Sequence, residues 1–105
     1  MNTEDFVKGV HQTKEEIVNS YFDTTIETYV GELIKSLDLN TEQLRTLKQV
    51  IDATLIDGFY SLLVGIQGGS SIGYNTQQEY KLFDEKGNSL TDNIGGLAFE
   101  YFQES

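Results

Sequence analysis

The residues of this chain that could do chemistry are few, and their spacing tests each in turn. Gly69-Ser70-Ser71-Ile72-Gly73 has the G-x-S-x-G form of a nucleophile elbow. That turn works between a strand and a following helix, where strain lifts the serine above a sheet. Here a helical pattern precedes the loop and an alternating one follows it, so the order is reversed. The one imidazole, His11, would have to serve any Ser–His relay. A phosphate cradle on the same loop needs a following helix N-terminus and a lysine. The loop instead faces the negative end of the helix before it. Asp52 and Asp57, set in the most apolar stretch, suggest a carboxylate pair for acid–base work or a divalent cation. Five residues apart on a helix, they diverge by about 140°, and a structural hydrogen bond or an exposed strip suits them better. Asp84-Glu85-Lys86-Gly87-Asn88 opens like a calcium loop, but Lys86 takes the third ligand position and Gly95 the twelfth, where a bidentate Glu belongs. A lone His11 without cysteine is a surface residue rather than a metal ligand. These tests assign no catalytic residue, no metal site and no cofactor. An enzyme would require Asp52, Asp57 or Ser71 to converge in a pocket with His11 or a tyrosine.

Charge is the stronger signal. Seventeen Asp and Glu stand against seven Lys and Arg, a net charge of -10 over 105 residues. The acids run from Glu4 to Glu104 rather than gathering in a tail. Such a field repels phosphate backbones and anionic membranes and attracts basic protein surfaces. Six Phe, six Tyr and 38% hydrophobic residues set the chain apart from disordered acidic sequences, and its length suits a single domain over residues 1–105. Cysteine is absent, which removes disulfides and thiolate chemistry. The acidic start shows no signal-peptide pattern, and the longest apolar run, Phe59 to Ile66, is too short to span a bilayer. A cytoplasmic location is expected.

The elements that must carry these residues read as α+β. Asn2 or Thr3 caps a first helix with Glu4 and Asp5 in its first turn. A break is expected near Asn19–Thr25, with Ser20/Asp23 or Thr24/Glu27 as capping box, followed by a second stripe from Phe22 and Ile26 to Leu37. Asn40 or Thr41 restarts the chain into a long helix to about Ile66, apolar nearly all round and expected to be the buried centre of the domain. Gly68-Gly69 ends it. Beyond it the period falls to two. Residues 74–102 predict a small antiparallel sheet, with Tyr74–Phe83 returning through the Asp84–Asn88 turn into Ser89–Thr91. Leu97, Phe99 and Tyr101 alternate as a third strand, with a short terminal helix as the rival reading.

Tyrosines among acids suit the grip of a basic protein surface, where the ring gives contact area and carboxylates pair with Lys and Arg. Tyr74, Glu79, Asp84, Glu85, Glu100, Tyr101 and Glu104 are the candidate partner-binding residues. Glu4, Asp5, Glu15 and Glu16 on the first helix form the alternative acidic surface. The run Asp57-Gly58-Phe59-Tyr60-Ser61-Leu62-Leu63, the glycine-rich loop and Glu79-Tyr80-Lys81-Leu82-Phe83-Asp84-Glu85-Lys86-Gly87-Asn88 add a resemblance over about residues 51–102. In pattern they resemble small acidic bacterial immunity proteins encoded beside secreted or contact-delivered toxins. That family shares a role rather than a fold. The resemblance implies a non-enzymatic inhibitor whose partner is a basic protein, a cognate toxin nuclease, covered at its substrate cleft. No direct nucleic acid or membrane partner is implied, and the protein itself would be a monomer or homodimer. The alternative is a structural or adaptor subunit, or a homodimer built on the apolar helix and sheet.

Overall fold

Helix starts follow the caps written in the sequence. In the computed structural model, residues 1–104 are described, and they form α1 (Thr3–Phe22), α2 (Tyr29–Ser36), α3 (Thr41–Gln67) and α4 (Ile94–Phe102). Asn2 accepts the Asp5 N–H at 2.8 Å while the Asp5 carboxylate accepts the Asn2 N–H, a closed capping box. Asn40 and Gln43 repeat the arrangement at the start of α3. Gly68, at φ 95°, ends α3 in the left-handed conformation that glycine reaches without a Cβ clash. The break after α1 falls where it was expected, but its details differ. Thr28, not Ser20 or Thr24, caps α2 by accepting the Gly31 N–H at 2.9 Å. Ser20 donates to the Ile17 carbonyl inside α1, and the Asp23 carboxylate accepts the Thr25 N–H and hydroxyl in the connection. Phe22 and Ile26 therefore lie outside the second helix.

The α+β expectation is corrected: the described residues are all-helical, with no strand or sheet. Only one antiparallel bridge, Phe83 to Ser89, closes the Asp84–Asn88 turn, where Gly87 has φ 85°. The preceding segment spends its polar groups elsewhere. The Tyr80 N–H goes to the Ile66 carbonyl at 2.8 Å and the Gln77 amide to the Gly68 carbonyl, so the segment satisfies the C-terminal end of α3 instead of a second strand. The expected third strand is helix α4. Its buried residues, Ile94, Ala98 and Phe102, recur every four positions, and this period outweighs the alternation of Leu97, Phe99 and Tyr101. The Gly95 N–H, free at the helix start, is met by the Gln67 side-chain oxygen from α3.

α1 packs on all three other helices, α3 on α1 and α4, and α2 on α1 alone. Val7, Leu63, Ile94, Ala98 and Phe102 make the core where the N-terminal half of α1, the C-terminal half of α3 and α4 meet. The long helix is not the buried centre that its composition predicts. Of its 27 residues only Leu63 and Gly65 are buried. The radius of gyration, 16.3 Å, exceeds the roughly 13 Å of a compact chain near this length. By length and composition α3 is also long and apolar enough to cross a membrane. Asp52 and Asp57 lie within it, and a carboxylate near a bilayer's centre costs roughly 2.5–3.5 kcal/mol.

Candidate protein-interaction surface

Fifteen of the seventeen carboxylate residues are exposed; Asp52 and Asp84 are half-buried. Among the described residues only Glu15, Glu32, Glu42, Asp52 and Glu79 stand in ion pairs. The other twelve leave their charge uncompensated. Unpaired surface carboxylates extend a negative field into solvent, where it steers an oppositely charged surface toward contact.

The structure joins part of the two acidic sets that the sequence keeps apart. The Tyr101 hydroxyl, on α4, donates to Glu4 Oε2 on α1 at 3.0 Å across 97 residues of sequence. That bond, then partial burial, then the negative fields of Glu4, Glu100 and Asp5 hold the Tyr101 phenol above its ordinary value. Glu4, Asp5 and Glu100 thus converge on one phenol. α1 is fixed here by its capping box and α4 by Phe102, whose ring makes a T-shaped contact with His11 at 5.2 Å between centroids. His11 is half-buried by this contact rather than a free surface residue.

The remaining candidate contacts fall differently. Tyr74 is fully exposed in the segment between α3 and α4. Glu79 pairs with Lys81 at 2.9 Å, so its charge is partly compensated within the chain. Asp84 organises its own turn: its carboxylate accepts from the Asn88 side chain and from the Asn88 and Lys86 N–H groups, which holds its pKa below the ordinary range. Glu85 and Glu104 are exposed and outside any ion pair. Of the alternative set, Glu15 is taken by Lys14 at 2.8 Å, and Glu16 is exposed and unpaired.

One charged group that sequence reasoning missed is Lys14. It is 2% exposed, and its ammonium holds Asp52 Oδ1 at 2.7 Å and Glu15 Oε1 at 2.8 Å. Burial works against this ammonium, but the two carboxylates outweigh it and raise its pKa above 10.5. The structural hydrogen bond expected of Asp52 is thus made to Lys14. The missed signal was the stripe Thr3, Val7, Lys14, Val18, in which a lysine occupies an inward position. Asp57, by contrast, is exposed. The cavity beside Asp52 is lined by Glu15, Val18, Asn19, Arg45, Lys48 and Gln49 and includes none of His11, Asp57 or Ser71. Ser71 donates to the Gly73 carbonyl in its exposed loop. Among the described residues, no group of three or more His, Asp or Glu is arranged to hold a metal ion.

A scan of protein-family models gives no match, and neither the curated proteins nor the solved structures contain one that matches this chain.

Proposed function

We propose that this chain is a non-enzymatic acidic binding protein that neutralises a basic protein, a cognate toxin nuclease, by covering its substrate cleft. The observation that carries the reading is the set of twelve carboxylates outside any ion pair on a chain of net charge -10. A nuclease cleft must be basic to hold its phosphates, and an acidic domain meets that cleft with opposite potential. The convergence of Glu4, Asp5 and Glu100 on Tyr101 supplies a local centre for the contact, since tyrosine and carboxylate together serve Lys- and Arg-rich surfaces. The test is affinity capture of the tagged protein from its own cells, washed at low and moderate salt. One stoichiometric basic partner, weakened by salt, supports the proposal. Charge reversal at Glu4, Asp5 and Glu100 is then expected to slow association at least tenfold; unchanged association removes this patch from the contact.

A second reading has its own observation. Tyr29 and Leu33 on α2 and Leu37 just after it are 80%, 48% and 58% exposed, and α3 is largely uncovered. Apolar faces of this kind suit a homodimer or an adaptor seated on a larger assembly. A salt-insensitive dimer in sedimentation, with no basic partner, would move the weight to this reading.

A further inference from the structure

Between α1 and α3 runs an apolar trough of about 490 Å³, walled by Phe6, Val10, Phe59, Leu62 and Ile66 with Asp5 at one end. The two helices are antiparallel here, with Asp5 and Phe6 beside Ile66 and Lys14 beside Asp52. Leu62 is 48% exposed although it faces this trough. Gly9 stands in the same wall, inside α1, where glycine costs about 1 kcal/mol relative to alanine. The fold makes no demand for it: a Cβ placed there meets nothing within 4 Å, and its φ is not in the left-handed region. Its effect is to keep the trough deep.

We infer that this trough seats an amphipathic helix of the basic partner, its apolar face in the groove and its Lys or Arg side chains on Asp5 and Glu16. Eleven residues separate these two acids, three helical turns, so both project along the same lip of α1 about 16 Å apart. A partner helix with basic residues eleven apart matches that spacing. Neither Asp5 nor Glu16 is in an ion pair among the described residues. The wall is poor in the convergent polar groups that orient a small molecule. A second copy of the chain is disfavoured because a two-fold contact sets the same acidic lip against itself. The inference rests on the proposed basic partner and adds where and in what form that partner docks.

The probe is a fluorescein-labelled helical peptide with a leucine stripe and lysines eleven residues apart, followed by anisotropy and by amide shifts of the ¹⁵N-labelled protein. A peptide of equal charge without the stripe, and one with glutamates replacing the lysines, are the controls. The striped lysine peptide is expected to bind at least tenfold tighter than either, to weaken with salt, and to shift the amides of Gly9, Val10, Leu62 and Ile66. Gly9→Leu fills the trough and improves helix propensity, so it is expected to abolish binding while raising the thermal midpoint. If both lysine peptides bind equally and Gly9→Leu changes nothing, the trough is overturned and the basic-partner reading stands. If neither binds at low salt, the docking helix is overturned, while the basic-partner reading is decided separately by capture of a salt-sensitive basic partner. Equal binding of the glutamate peptide, or a wild-type dimer that Gly9→Leu dissociates, overturns the inference in favour of an uncharged occupant or a second copy.

Discussion

The two ends of this molecule are built from the same helices but to different standards. Where the N-terminal half of α1, the C-terminal half of α3 and α4 meet, Val7, Ile94 and Ala98 are entirely removed from solvent and Leu63 and Phe102 nearly so. Where the C-terminal half of α1 meets α2 on one side and the first half of α3 on another, the buried residues are Lys14, Val18, Gly31 and Ile34, and no residue from Thr41 to Leu62 is buried. Val50, at 54% exposure, faces water in that half of α3. The difference teaches that one end supplies the buried core while the other, more polar in sequence, leaves its helices largely exposed.

The largest effect tests the closed end. Phe102→Ala is expected to destabilise by about 3–5 kcal/mol, the usual range for emptying a core aromatic site, measured by urea denaturation. Val50→Ala at the open end is expected to stay within about 0.5 kcal/mol, as for surface substitutions. Comparable losses at both sites would erase the contrast between the ends.

Next in size is the buried ammonium that ties α1 to α3 across the open end. Asp52→Ala leaves Lys14 buried with Glu15 as its one carboxylate partner, and a loss of about 1–3 kcal/mol is expected for an under-satisfied buried group. Lys14→Met removes the buried charge and leaves two carboxylates that reach solvent, so it is expected to fall below that loss. A Lys14→Met loss larger than that of Asp52→Ala would show that the ion pair itself, not its desolvation, dominates.

These residues also show where the sequence was legible. Asn2, Asn40 and Gly68 act within three or four residues of themselves, so the starts of α1 and α3 and the end of α3 could be read directly. The C-terminal third could not. Leu97, Phe99 and Tyr101 alternate over five residues, too few to distinguish a strand from a helix. The choice was made by Ile94, Ala98 and Phe102 finding Val7 and Leu63, a tertiary contact that no local pattern contains. The exposure of α3 was illegible for the complementary reason. Apolar composition says that a surface wants cover, not whether this chain or another supplies it. At the candidate site, Glu4 and Tyr101 were each recognised as contact residues, but their meeting across 97 positions needed the fold. Lys14 and Asp52, 38 positions apart, were hidden in the same way.

A smaller effect sharpens the comparison at α2, which touches only α1. Removing the Thr28 cap with Thr28→Ala should lower the local stability of α2 by about 1 kcal/mol. Because α2 lies outside the core, hydrogen exchange should speed at Gly31–Leu37 while α4 amides keep their protection. Equal acceleration in α4 would mean that the two ends unfold as one unit.

The smallest effect is the pH response, and its sign follows from which form each fold contact prefers. Lys14 is held above 10.5 and Tyr101 above 10.0, so both contribute stability that is complete below those values. That contribution is lost as pH rises through the higher folded-state values. Asp23 and Asp84 are held below 3.8, so theirs is present above that value and lost as pH falls. The alkaline arm is divided between the ends: Lys14 belongs to the open one and Tyr101 to the closed one. Lys14→Met and Tyr101→Phe should each flatten part of the decline above pH 10, with the exposed Lys81, also raised by its Glu79 partner, keeping a minor share, measured as urea midpoints at successive pH values. Lys14→Met alone abolishing the decline would assign the alkaline response to the open end and leave the Tyr101–Glu4 bond as a feature of the acidic surface rather than of the fold's stability.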